Sequence, residues 1–110
     1  MYAIVDIETT GSVATQDRIT EIAIFKHDGK KIVDQYSTFV NPERSIPPFI
    51  SKLTGITNEM VKDAPKFFEV AKDIIEFTTD CVFVAHNVNF DYSFIKKEFN
   101  YLSYNYMRKT

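Results

Sequence analysis

The sequence has no tryptophan, one cysteine, two histidines, three glycines and four prolines. A lone cysteine, Cys81, excludes a disulfide framework and a cysteine zinc site. It adjoins the apolar run Val82-Phe83-Val84-Ala85 and reads as a small core residue in a reducing compartment. No repeat, low-complexity stretch or linker interrupts the chain. No run approaches the roughly 18 apolar residues of a membrane span. The N-terminus enters a strand-like run at once, without a basic region, a cleavage site or a lipidation motif. These absences predict a cytoplasmic protein with no membrane partner. Neither charge dominates: 13 Lys+Arg stand against 15 Asp+Glu, a formal net charge of -2. A protein that grips nucleic acid through a broad basic footprint would be more basic. An enzyme that holds phosphate through metal ions at an acidic site is not excluded.

What the chain has in quantity is apolar and aromatic mass. Of its 110 residues 45% are hydrophobic, including 10 Phe and 6 Tyr. That length suits a single domain, residues 1–110, burying roughly two-thirds of its unfolded surface around one core. A first strand is expected over 2–7, closed by the turn Thr9-Thr10-Gly11-Ser12. A second, over 19–26, leads into His27-Asp28-Gly29-Lys30; Asp-Gly between apolar runs is a strong hairpin signal. A third follows over 31–40, closed by Asn41-Pro42. Phe49 to Leu53 suggests a short helical turn, and Thr57 or Asn58 caps another that reaches Val61. From Pro65 to Thr78, Phe67, Phe68, Ala71, Ile74, Ile75 and Thr78 recur at helical spacing. A buried strand over 81–85 comes next. The last helix runs from 88 or 89 to 101, with Phe94, Ile95 and Leu102 as anchors. The order β-β-β-α-β-α predicts an α/β fold. Three strands form an antiparallel meander, and the fourth arrives by a helical crossover to lie parallel to the first.

Asp6 and Glu8 close the first apolar run. Side chains at i and i+2 share a face, roughly 6.5 Å apart along the strand. Two carboxylates on a strand expected to be buried repel each other and lose hydration, so something must compensate. One or two divalent metal ions are the usual compensator. The parallel fourth strand brings His86-Asn87 alongside, and Asp91, one turn into the last helix, is a third candidate ligand. Each has a plainer reading. An isolated Asp-x-Glu is often an ordinary strand-end pair, and an Asp in a first helical turn is favoured by the dipole.

Taken together, Asp6-Ile7-Glu8-Thr9-Thr10-Gly11 and His86-Asn87-Val88-Asn89-Phe90-Asp91 resemble the first two motifs of the DEDD (DnaQ-like) 3′–5′ exonucleases. Arg18-Ile19-Thr20-Glu21-Ile22-Ala23, Phe39-Val40-Asn41-Pro42 and Leu53-Thr54-Gly55-Ile56-Thr57-Asn58-Glu59-Met60 extend the likeness in order and spacing over residues 2 to about 100. Within the family the sequence is most similar to the proofreading exonucleases of bacterial replicative DNA polymerase, the epsilon-subunit and PolC types. The resemblance implies a ribonuclease H-like mixed sheet and two Mg²⁺ or Mn²⁺ ions held by Asp6, Glu8 and Asp91, with Asp6 shared. One ion would generate hydroxide and the other would stabilise the leaving 3′ oxygen. It implies a single-stranded DNA 3′ end as substrate and a polymerase catalytic subunit, or another replication or repair protein, as partner. Thr9, Thr10, Gly11, Asn87 and Phe90 become candidate substrate contacts.

Two departures stand out. The family's third motif, a His followed by an Asp, has no counterpart after Asp91. On this reading a fifth strand and closing helix are also lacking, and these residues alone are inactive or weakly active. Loss of a general base costs roughly two to four powers of ten in rate. Ser12 stands where the family often has an apolar wedge against the terminal base, with Val13 as its substitute. His86 reads as a structural histidine bonded to backbone, His27 as a solvated turn residue and Glu21 as a brace for the site. The tyrosines of Asn100-Tyr101-Leu102-Ser103-Tyr104-Asn105-Tyr106 read as a surface that further residues would cover. Two other functions stay open: an exoribonuclease of the same fold, and a non-catalytic nucleic-acid-binding or docking module.

Overall fold

The computed structural model describes residues 1–110. Four strands, β1 (Tyr2–Thr9), β2 (Ile19–His27), β3 (Ile32–Phe39) and β4 (Val82–Val84), form one sheet in the order β3-β2-β1-β4. The β1–β2 and β2–β3 pairs are antiparallel, and β4 lies parallel to β1, as the element order predicted. Two short helices, α1 (Pro48–Thr54) and α2 (Asn58–Val61), precede the longer α3 (Phe67–Phe77) and α4 (Val88–Tyr101).

Local chemistry sets the boundaries. In the β2–β3 turn the Asp28 carboxylate accepts from the Lys30 and Lys31 N–H groups at 2.8 and 2.9 Å, while Gly29 takes φ +100°. A residue with a Cβ resists that conformation. The hairpin predicted from Asp28-Gly29 is therefore present. Thr57 caps α2, its hydroxyl accepting from the Met60 N–H. Pro65 stands just before α3 rather than in its first turn. The helix starts with the Lys66 N–H bonded to Glu69 at 2.9 Å, half of a capping box.

The first strand is not buried on both sides, as its continuous apolar run suggested. Ala3, Val5, Ile7 and Thr9 are buried, whereas Tyr2, Ile4, Asp6 and Glu8 occupy an open face. Both α3 and α4 cover the first face, so the 17-residue core lies entirely on that side. The same holds for β4, where Phe83 is buried and Val84 is exposed. In α3 the buried stripe is Phe67, Val70, Ala71 and Ile74. Phe68, expected inside, is exposed, because it lies about 100° round the helix from Phe67. Leu102, expected as an anchor, lies past the end of α4 and is exposed; Phe99 takes the place.

The tail also differs from expectation. Tyr106 is 0% exposed, stacked on Phe99 at 4.6 Å and bonded through its hydroxyl to Thr78 at 2.8 Å. Arg108 donates to the carbonyls of Thr78 and Ile75 at the end of α3, and the Phe83 N–H reaches the Lys109 carbonyl. The tail thus completes the core and occupies the outer edge of β4. Burying a large side chain there contributes roughly 1.5–3 kcal/mol. Tyr101 and Tyr104 remain exposed.

Candidate active site

The alternation of β1 delivers Asp6 and Glu8 to the open face near the strand's C-terminal end. The register sets Asp6 opposite Ala23 and Glu8 opposite Glu21 on β2. Directly paired residues of an antiparallel ladder share a face, so Glu21 faces Glu8 as a like charge. Past Glu8 the register shifts, and Thr9 pairs with Ile19. From the other side comes α4. The Asn87 carbonyl accepts the Phe90 and Asp91 N–H groups at 3.0 and 3.1 Å, which starts the helix and puts Asp91, buried, in its first turn.

Electrostatics tie the three acids together. Burial raises the Glu8 carboxyl above its ordinary range, and the charges of Asp6, Glu21 and Asp91 raise it further. Burial likewise raises Asp91. The N–H of Asp91 itself opposes this, Asp6 adds to it, and the Ile7 N–H and His86 lean the other way without cancelling it. No lysine or arginine acts on either group, and none of the chain's ion pairs includes Asp6, Glu8 or Asp91. The set is open rather than a closed cage: no three His, Cys, Asp or Glu side chains converge tightly enough to enclose an ion. Its donors are all carboxylate oxygens. That suits a hard divalent cation such as Mg²⁺ or Mn²⁺, with water and phosphate oxygens filling the remaining coordination. A cation would also relieve the repulsion among the acids.

The turn after β1 is held rigid from beneath. Thr10 is buried. Its hydroxyl donates to Asp17 at 3.0 Å and accepts from the Arg18 N–H at 3.1 Å, and its own N–H donates to the Arg18 carbonyl at 2.9 Å. Asp17 also accepts from the Val13 N–H at 3.0 Å. A Cβ on Gly11 would stand 2.5 Å from the Asp17 carboxylate, so only glycine lets that carboxylate close the loop. Thr9 donates to the Gly11 carbonyl.

Beside Glu8 a cleft of about 390 Å³ opens between the end of β1, α1 and the start of α4. Glu8, Thr9, Gly11, Ser12 and Phe90 line one side, and Phe49, Ile50, Leu53 and Thr54 the other. Phe49 is 71% exposed and Leu53 79%, an unusual use of apolar surface on a seven-residue helix. A larger hollow of about 730 Å³ on the α3 side contains none of the three carboxylates.

Among the sequence candidates, then, Asp6, Glu8 and Asp91 are brought together, and Thr9, Gly11 and Phe90 line the adjoining cleft. Phe90 also packs on Phe94 at 4.8 Å, so it serves the core as well. Thr10 is turned inward, its N–H and hydroxyl already engaged. Asn87 is exposed outside the cleft lining. Ser12 lines the cleft where Val13 does not. His86, expected to bond backbone, is exposed without a hydrogen-bond partner and lies close enough to act on Asp91. His27 accepts from the Gly29 N–H in its turn. Sequence reasoning missed Phe49 and Leu53 as cleft walls. Their i, i+4 spacing was visible, but it looks the same whether a helix face is buried or exposed.

The chain matches the family model described as "Exonuclease" over residues 3–110. It is 53% identical over 97 residues to "DNA polymerase III PolC-type" of Caldanaerobacter subterraneus subsp. tengcongensis, which covers 88% of this chain and 7% of that protein. It is 47% identical over 98 residues to "3'-5' exonuclease DinG" of Staphylococcus epidermidis, covering 89% of this chain and 11% of that one. The chain therefore spans a small part of the length of these relatives. Among solved structures, that of exonuclease X in complex with 5' overhanging duplex DNA superposes with a TM-score of 0.71 at 35% identity, over 86% of this chain and 54% of the other. Product-bound exonuclease I gives a TM-score of 0.85 at 20% identity, over 94% of this chain and 26% of the other; that likeness bears on the ribonuclease H-like fold.

Proposed function

The chain belongs to the exonuclease family, DnaQ-like in type, and on that premise we propose that residues 1–110 form one metal-dependent 3′–5′ exonuclease domain acting on single-stranded DNA ends. The observation that carries this reading is three carboxylates, none of them ion-paired, gathered at one strand end beside an apolar-walled cleft.

Asp6, Glu8 and Asp91 would hold two Mg²⁺ or Mn²⁺ ions. Bound there, the ions would supply water activation and neutralise the charge that builds on the leaving oxygen. The chain's own residues do the positioning. Phe49, Leu53 and Phe90 take the terminal base against apolar surface, which tolerates any base because every base has a π-face. Gly11, whose missing Cβ makes way for Asp17, brings the turn to the cleft wall beside the sugar. Water attacks the terminal phosphorus, the P–O3′ bond breaks, the new 3′ oxygen gains a proton, and a nucleoside 5′-monophosphate departs.

The proton acceptor is less well provided. His27 pairs with Tyr2 at the far end of β1, so His86 is the one imidazole near the acids. We therefore infer weak activity for these 110 residues alone, with a further general base coming from elsewhere in the working assembly. The PolC-type and DinG relatives support a place within a larger replication or repair protein. No helix is long and apolar enough to cross a membrane, and we place the work in the cytoplasm with the DNA. The test is digestion of matched 5′-labelled DNA and RNA oligomers with Mn²⁺, then with chelator. Stepwise 3′ shortening of DNA that chelator stops supports the reading. Preferential loss of RNA would move the substrate, and shortening that survives chelation and Asp6→Asn would end the metal proposal.

A further inference from the structure

Arg18, partly buried, and Glu98, buried, form a fork that no catalytic role has absorbed. Glu98 is 3% exposed. Its two oxygens accept from Arg18 Nε at 2.9 Å and Nη2 at 2.7 Å, and one also accepts from the Ile19 N–H at 3.2 Å. The guanidinium lies over the Tyr101 ring at 5.0 Å, and Glu43 is a more distant partner at 3.8 Å. A bidentate arginine–carboxylate pair fixes direction as well as distance.

The two ends of this fork are informative. Glu98 follows Asp91 by seven residues on α4, two turns along the same helix face and about 10.5 Å away. Ile19 pairs with Thr9, next to Glu8, and the Arg18 backbone is bonded on both sides to Thr10. The fork therefore joins the helix that carries Asp91 to the strand end that carries Glu8. Phe94, Ile95 and Phe99 hold α4 onto the sheet, but apolar packing is non-directional and sets its slide and rotation less sharply.

We propose that Arg18 and Glu98 are positioning residues, setting where Asp91 stands relative to Asp6 and Glu8 and so the metal affinity of the site. The inference rests on the metal-holding role of those three acids. Its test is Mn²⁺ affinity of the chain, read by electron paramagnetic resonance of free Mn²⁺, together with thermal melting. Replacing a buried ion pair by apolar residues often leaves a fold as stable as before. The variant Arg18→Met/Glu98→Leu, which also leaves the buried Ile19 N–H unpaired, is expected to stay folded at a modestly lower Tm yet bind Mn²⁺ about tenfold or more weakly, as losses around metal ligands do. Arg18→Lys keeps the charge but not the fork and is expected to fall between. A well-folded double variant with wild-type affinity would overturn the inference. If that variant does not fold, a folded Arg18→Lys chain with unchanged affinity overturns it just as well. Binding that is lost in Asp91→Asn but kept in the double variant removes the positioning role alone. A wild-type chain that binds no Mn²⁺ removes the metal reading and this inference with it.

Discussion

Glu8→Gln should make the metal-free protein more stable. Glu8 faces Glu21 across the β1–β2 ladder, lies two residues from Asp6 on one face, and feels Asp91 from α4. Two unit charges about 6 Å apart repel by about 0.7 kcal/mol in water and about 3 kcal/mol at an effective dielectric of 20. Like charges directly opposed on a sheet cost roughly 0.2–1 kcal/mol each. Neutralising one member of this half-exposed group should therefore gain about 1 kcal/mol, a rise of about 4–8 °C in Tm for a chain of this size. The effect has a definite pH signature. A carboxyl whose folded pKa is raised keeps its proton longer in the native state, so stability falls as pH rises from the ordinary value of 4.5 through the raised one. The gain is absent below that window and full above it. Metal inverts the order. At a Mn²⁺ concentration 100 times its Kd, the wild type gains about 2.7 kcal/mol, whereas a variant missing a ligand gains less. Melting followed by circular dichroism serves here, since the chain has no tryptophan. A Glu8→Gln chain no more stable than wild type at neutral pH, or one stabilised equally by Mn²⁺, would refute the reasoning.

Other outcomes follow from particular contacts. Tyr106→Ala should cost about 3–5 kcal/mol through lost packing on Phe99, whereas Tyr106→Phe, which removes only the bond to Thr78, should cost about 1 kcal/mol; urea unfolding separates the two. Gly11→Ala should cost about 1–3 kcal/mol by pushing Asp17 off Thr10 and the Val13 N–H, measured by melting. Phe49→Ala and Leu53→Ala, on exposed side chains, should leave Tm nearly unchanged. They should weaken binding of a nucleoside monophosphate in the presence of Mn²⁺ by about 1–3 kcal/mol, read by calorimetry.

The elements of this fold were legible because their signals are local. Asp28-Gly29 announces the hairpin, Thr57 caps α2, and Ile74 follows Phe67 at i+7. The motifs mark Asp6, Glu8 and Asp91 as candidates, and the fold sets these acids within electrostatic reach of one another. What escaped was any fact that depends on what lies across from a residue. The run from Tyr2 to Val5 is apolar at every position, so it does not reveal that helices cover one face only. Phe68 and Val70 flank Phe67 on opposite sides of α3, and only the direction of the sheet decides which is buried. Tyr106 reads as surface until the gap beside Phe99 and Thr78 is known. Arg18 and Glu98 are 80 residues apart, and neither carries a local mark of its partner. The pairing of Glu8 with Glu21 is set between β1 and β2, which no tight turn joins, so no hairpin count predicts it.

Crystals soaked with Mn²⁺ and a nucleoside 5′-monophosphate, examined at a wavelength where manganese scatters anomalously, test the central claim most directly. Two peaks about 3.5–4 Å apart, coordinated by Asp6 together with Glu8 and Asp91 and bridged by the phosphate, are the predicted result. Manganese bound elsewhere, or a nucleotide seated away from these three carboxylates, would contradict it.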